Sequence, residues 1–432
     1  MNKLQVTFLA ALGLATLSAS AGDWTRFRGL NGSGVATDAN VPTTWSDAKN
    51  LKWKTALPGR GSSSPIICGE RIFVTSYSGY GEESGGNPAD LKRHLVCLDR
   101  SSGKILWDKT VAAELPEDPY QGFITEHGYA SGTPVTDGER VYVFFGKTGV
   151  LAFDFSGKQL WQVNVGKQSS NRRWGSGASL LLYKNMVIVN AAEESRSVRA
   201  LDTSTGKEIW KAESESMELS FSTPTLVDCG GGRTDLVVAV PGELWGFNPD
   251  TGKLRWFAQT GIRGNVSPSV VASDDLLFVT GGFPQSGTVA VRGGGKGDVT
   301  KTHVLWSSEV ASYVPSPVVM GEHLFFVSDK GVATCLEVQT GKLVTKEPLP
   351  GIVSTGRGGK PVYASTILAG KYLYAVTRRK GAFVLDATPQ MKVVAQNSFA
   401  GDESDFNATP AISGNQLFLR SNKFIYCIKS AE

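Results

Sequence analysis

The stretch Leu201-Asp202-Thr203-Ser204-Thr205-Gly206-Lys207-Glu208-Ile209-Trp210 decides the fold, because the chain repeats it. Close copies are Leu98-Asp99-Arg100-Ser101-Ser102-Gly103-Lys104-Ile105-Leu106-Trp107 and Phe247-Asn248-Pro249-Asp250-Thr251-Gly252-Lys253-Leu254-Arg255-Trp256. A copy one residue shorter runs from Asp154 through Gly157 to Trp161. Another lacks its tryptophan and runs from Glu337 through Gly341 to Thr345, and a stretched one spans Ala290 to Trp306. The pattern reads as a β-hairpin. Asp or Asn at the end of one strand bonds its own backbone two residues on and starts a turn. Gly supplies the positive φ that closes it. The tryptophan four residues later lies on the next strand and has a large face to bury.

A second signature precedes each hairpin: Ser64-Pro65, Thr133-Pro134, Thr223-Pro224, Ser267-Pro268, Ser316-Pro317 and Thr409-Pro410. Ala178-Ser179 and Ala364-Ser365 hold the same place without proline. A polar turn and a β-rich run such as Arg71-Ile72-Phe73-Val74 follow. Each unit is therefore four short antiparallel strands, A to D, and eight units follow one another. Four strands per ~40–50 residues is a propeller blade. The eighth unit runs out of chain after strand C, at Tyr426-Cys427-Ile428. A spare strand D stands at the other end, as Asn50-Leu51-Lys52-Trp53-Lys54. The expected fold is all-β: an eight-bladed β-propeller of four-stranded antiparallel blades over residues 50–430, closed by the N-terminal strand joining the last blade. Closure removes two open edges.

Composition agrees with one large core. The 432 residues include 20 Phe, 11 Tyr and 10 Trp, which excludes a disordered chain. The 50 glycines have no three-residue period, which excludes a collagen-like one. A net charge of +4 without a Lys/Arg cluster excludes a nucleic-acid partner. Residues 1–21 read as a secretory leader: Lys3, an apolar run from Leu4 to Leu17, then Ala19-Ser20-Ala21. That run is shorter than the ~20 residues a membrane span needs. No cysteine precedes Cys68, so no lipid anchor is expected. The mature chain is expected to be a periplasmic or secreted monomer with an N-terminal extension at 22–49. Cys97, Cys335 and Cys427 take the repeat position that Ala152, Ala200 and Gly246 take elsewhere. They read as small buried side chains rather than disulfide partners.

The pattern Ala-x-Asp-x-x-x-Gly-x-x-x-Trp is complete at Ala200, Asp202, Gly206 and Trp210. It resembles the tryptophan-docking motif of the PQQ-like repeat family of quinoprotein propellers, over nearly all of residues 24–430. Asn50-Leu51-Lys52-Trp53 is similar to that family's closing strand. The resemblance implies that Trp53, Trp107, Trp161, Trp210, Trp256 and Trp306 pack between neighbouring blades. The family contains dehydrogenases that hold pyrroloquinoline quinone and calcium. It also contains non-enzymatic members, among them the propeller lipoprotein of the outer-membrane barrel-assembly machinery and secreted proteins of planctomycetes. Trp24-x-x-Phe27-Arg28-Gly29, with Gly297-Asp298-Val299-Thr300, resembles the last group most.

Catalytic parts are sparse. The family's alcohol dehydrogenases carry a vicinal cysteine pair, absent here. The acidic cluster Asp402, Glu403, Asp405 reads as a solvated loop rather than a cation site. There are only four histidines, with no metal-ligand spacing. The expected function is a non-catalytic, exported binding or scaffold module for a protein or carbohydrate partner, without cofactor or metal. A PQQ- and calcium-dependent alcohol or sugar dehydrogenase and a barrel-assembly scaffold are the alternatives.

Propeller geometry gathers the D–A and B–C loops on one face, around the channel mouth. The longest early insertions, Ser78–Arg93 and Ala112–Ala130, both fall there. The candidate ligand-binding residues on these loops are Arg60, His127, Tyr129, Arg172, Arg173, Trp174, Glu218, Arg263, Asn265, Arg357, Asp402, Asp405 and Asn407. With Lys360, six cations are expected to converge. An arginine-rich ring with aromatic faces suits an anionic or carbohydrate-like ligand, or a partner protein's acidic loop.

Overall fold

Each repeat folds as an antiparallel blade whose strands run outward from the axis in chain order. In blade 1 these are A (Ile66–Cys68), B (Arg71–Ser78), C (Lys92–Asp99) and D (Ile105–Ala112). Strand B is buried along most of its length. The outer strand D alternates between half-buried and exposed residues, as a strand with one wet face should. Eight such sheets form the ring in this computed structural model, which describes residues 22–82, 86–353 and 360–430. The stretch 1–21, expected to be a leader, lies outside the described residues. The core is distributed between blades. In one cluster Ile66, Phe73, Leu95 and Cys97 of blade 1 meet Val141, Val143 and Leu151 of blade 2.

The ring closes as expected. Leu51–Ala56 pairs antiparallel with Phe424–Ile428, with Trp53 opposite Cys427 and Ala56 opposite Phe424. All five cysteines are unpaired thiols. Cys97, Cys335 and Cys427 are buried, opposite Trp107, Thr345 and Trp53 on strand D. Opposite Trp107 and Trp53 a small side chain is needed because the bulk of the pair belongs to the indole.

Five of the six tryptophans dock across a blade junction. Their indole N–H groups donate to a backbone carbonyl in the next blade's C–D turn: Trp53 to Arg100, Trp107 to Phe155, Trp161 to Thr203, Trp210 to Pro249 and Trp306 to Val338, at 2.8–3.1 Å. The turn glycine that receives each ring has no room for a Cβ. At Gly103, Gly157, Gly206, Gly252 and Gly341 an added methyl would run into the docked indole. The repeat's Gly and Trp are thus partners between units. Trp256 differs. It is buried in one cluster with Leu277, Val289 and Val291 of blade 5, but blade 5 has a stretched C–D connection, and the indole donates instead to Asp235 Oδ2 within its own blade, at 2.7 Å. The stretched segment lays Gly297–Asp298 parallel to Leu254–Gln259.

The extension at 22–49 is part of the ring. It enters beside the A–B turns, where the Gly69 N–H donates to Asp23. It then crosses the channel. Trp24 exchanges backbone hydrogen bonds with Ile67 of blade 1, and the Thr136 N–H of blade 2 donates to Thr25 O. Arg26 and Asn31 donate to Pro224 O and Leu226 O of blade 4, and Arg28 to Pro317 O of blade 6. Val35–Ala36 lies parallel to Ile367–Ala369 of blade 7. A chain touching inner strands on so many sides plugs the channel from one face. No helix among the described residues is long and apolar enough to cross a membrane.

Candidate functional site

The plug leaves the channel open only at the D–A face, as a blind funnel. Phe27 of the plug lines it together with Phe123, Trp174, Phe221, Tyr313 and Tyr363, which come from several D–A loops. Phe123 meets Trp174 edge-on with centroids 4.5 Å apart, and Trp174 stacks on Phe221 at 6.0 Å. Below the aromatic rim runs a ring of hydroxyls. The backbone N–H of each ring residue donates to the next blade's hydroxyl: Ser64 to Thr133, Thr133 to Ser179, Ser179 to Thr223, Thr223 to Ser269, Ser269 to Ser316, Ser316 to Ser365, and Ser365 to Thr409. The bonds are 2.9–3.3 Å long. In blades 3, 5 and 7 the ring residue is Ser179, Ser269 or Ser365. It stands one or two positions after the unit starts read at Ala178, Ser267 and Ala364.

The expected residues divide among several places. His127, Trp174 and Asn407 line the funnel. Asn265 adjoins it, accepting from Tyr313 Oη at 3.2 Å. His127 is neutral there: burial lowers its pKa, against the pull of nearby carbonyls. Both of its ring nitrogens are engaged, with Ser131 at 2.6 Å and Trp174 O at 2.9 Å. Tyr129 does not face the channel. It packs with Tyr77, Tyr80 and Ile124 in a satellite core under the two insertion loops, its hydroxyl donating to Asp118 O at 2.7 Å.

No arginine or lysine is among the described residues lining the funnel. Arg173 and Glu218 border a separate rim pocket, and Arg60 and Asp405 border another. Arg60 donates to Glu82 O, and Lys360 pairs with Asp329 at 2.8 Å. Arg172 lies over the Trp174 ring at 5.8 Å, and Arg263 is exposed. Arg357 lies outside the described residues. Asp405 holds Arg378 and Arg379, both at 2.6 Å, while Asp402 accepts from Tyr426 Oη at 2.7 Å. These two carboxylates thus serve different partners. No group of three or more His, Cys, Asp or Glu suited to a metal occurs among the described residues.

The loop that carries Trp174 is pinned from below by acids. Ser170 Oγ donates to Glu193 at 2.7 Å and Ser176 Oγ to Glu194. Both glutamates are buried in the B–C turn of blade 3. Burial pushes their carboxyls up to about 7 and about 8.

Pyrroloquinoline quinone does not fit this donor set. The funnel holds a cavity of about 160 Å3, comparable to an engineered cavity that takes one benzene ring. A fused-ring polycarboxylate would meet neither space nor a cation there.

A family model described as outer membrane protein assembly factor BamB matches residues 91–347. No curated protein matches the sequence. Among solved structures, BamB from Moraxella catarrhalis is similar with a TM-score of 0.61 at 13% identity, over 88% of this chain and 97% of that one. The computationally designed protein Ika8 gives 0.57 at 12%, over 87% and 98%. The quinohemoprotein alcohol dehydrogenase ADHIIG from Pseudomonas putida gives 0.56 at 13%, over 95% and 81%. A designed protein and an enzyme share the architecture alike, so the likeness is one of fold.

Proposed function

The chain belongs to the PQQ-repeat propeller family of the outer membrane protein assembly factor BamB, and on that premise we propose that it is an exported, non-catalytic docking module. It acts in the periplasm or outside the cell and holds a protein or glycan partner in its funnel. The observation that carries this reading is the funnel: blind, uncharged among its described lining residues, and rimmed by half-buried aromatic rings. Such a surface supports recognition. A quinone-dependent dehydrogenase is disfavoured by the small cavity and by the absence of Arg and Lys from its described lining residues. A barrel-assembly scaffold is the second reading, favoured by the BamB family model that matches residues 91–347.

The test is affinity capture from a cell-envelope extract with the wild type and Trp174→Ala. A partner held by the first and lost by the second, at unchanged melting temperature, supports docking at the funnel. Co-purification of outer-membrane barrels with both proteins points to the scaffold reading. Saturable binding of the quinone with calcium, together with dye reduction, overturns the proposal.

A further inference from the structure

We propose that the funnel takes a polyhydroxylated six-membered ring, the terminal pyranose of a glycan. This rests on the docking reading above and narrows its ligand to one class. Six hydroxyls line the funnel from six successive blades: Ser179, Thr223, Ser269, Ser316, Ser365 and Thr409. Each oxygen already accepts the backbone N–H of the preceding blade. None finds an acceptor for its own proton among the described residues. A hydroxyl keeps its one donor when its lone pairs are used, so six donors are left around one axis.

The placement of these donors around one axis selects the ligand. A peptide side chain brings one polar tip and meets one or two of them. A ring with oxygens along its whole rim can meet donors from all six blades. The funnel also contains the converse group. Asn407 is buried, with its Nδ2 donating to Glu126 O at 2.7 Å and its Oδ1 without a donor. A sugar hydroxyl donates and accepts and so serves both needs. The C–H faces of a pyranose match the aromatic rim of Trp174, Phe221 and Phe123. The cavity of about 160 Å3 admits one six-membered ring. With no charged side chain among the described lining residues, the ring is neutral.

The test titrates the mature protein with methyl glycosides of glucose, galactose, mannose and N-acetylglucosamine, read by calorimetry and tryptophan fluorescence. myo-Inositol, glucuronate and benzoate form separate arms. The expected result is saturable binding of at least one neutral glycoside. It weakens about tenfold in Trp174→Ala and is largely restored in Trp174→Phe, with all three melting temperatures equal. No saturation by any neutral glycoside overturns the proposal, and so does tighter binding of glucuronate or benzoate. Tighter binding of myo-inositol than of every glycoside overturns the glycan source. A captured protein that depends on Trp174, with no glycoside bound, overturns the sugar class and leaves the docking reading intact.

Discussion

The latch between blades makes a sharp prediction, because its two halves are far apart in the repeat. Trp210 of blade 3 is 8% exposed and donates to Pro249 O at 2.9 Å. It rests on Gly252 of blade 4, where the three atoms nearest to an added Cβ all belong to its ring. Trp210→Ala should cost about 3–5 kcal/mol. Gly252→Ala carries two penalties. Its φ of +68° costs a non-glycine residue about 1–2 kcal/mol, and the methyl unseats the indole, which loses most of the docking energy. Together these come to about 4–6 kcal/mol. Once Trp210 is alanine the methyl meets no ring, so Gly252→Ala then costs only the backbone penalty. The double-mutant cycle should therefore show a coupling of about 3 kcal/mol. Urea denaturation of the four proteins measures it, provided that circular dichroism and fluorescence transitions coincide. Additivity to within about 0.5 kcal/mol would refute the inter-blade latch.

Three further outcomes are expected. Glu193 and Glu194 keep their protons to about 7 and about 8 when folded, against 4.5 in a free chain. Their stabilisation is thus complete below pH 4.5 and drains as pH rises through 7 to 8. Melting temperature should fall between pH 5 and pH 9, and the fall should flatten in Glu194→Gln; an unchanged slope counts against the burial argument. Asp235 is fully buried between Arg233, Arg255 and Trp256. Asp235→Ala should cost about 3 kcal/mol or more by chemical denaturation, whereas Asp250→Ala, which breaks only an exposed pair with Lys184, should cost less than about 1 kcal/mol. Deleting residues 423–432 removes Ile425, Tyr426, Cys427 and Ile428, all fully buried, and leaves Leu51–Ala56 unpaired. Stability should drop by at least about 5 kcal/mol, and a shortened chain with an unchanged melting temperature would disprove closure by these strands.

The repeat makes the blades, their number and the closing strand legible in the sequence alone. It does not show that Gly206 receives Trp161 rather than Trp210. A repeat unit looks the same whether its recurring residues meet each other or meet their copies in the next unit. Trp256 breaks the pattern because its neighbour's stretched connection offers no glycine seat. The hydroxyl ring is half visible. Proline follows the ring hydroxyl at Ser64, Thr133, Thr223, Ser316 and Thr409 but precedes it at Ser269, so aligning on proline misplaces blade 5. Charge on the D–A loops points to a cationic mouth, yet the funnel is aromatic. Arginine and lysine side chains are long and reach the rim, where water and carboxylates take their charge. Phe221, Tyr313 and Tyr363 stand two or three residues before a ring hydroxyl, and shorter, stiffer rings at that place must turn inward. That spacing is the signal the sequence offers.

The plug follows from a requirement that the ring itself creates. A propeller leaves the inner edge of every strand A facing its own axis, and unpaired backbone groups buried there are costly. Hydroxyls of the next blade take seven of the N–H groups, and a proline one residue on removes another donor at five positions. The carbonyls remain. Arg26, Arg28 and Asn31 answer those of Pro224, Pro317 and Leu226, and Val35–Ala36 covers blade 7 as a strand would. Arginine suits the task because it offers five donors and no acceptor. Burial lowers Arg26 and Arg28 only to about 10 and about 9, so both stay charged and donating at neutral pH. The residue between them, Phe27, then has one direction left, upward, and becomes part of the funnel lining. The funnel's depth and the satisfaction of the inner edge are consequently one property. A substitution that loosens Arg28 should alter what the funnel binds, although Arg28 itself does not line it.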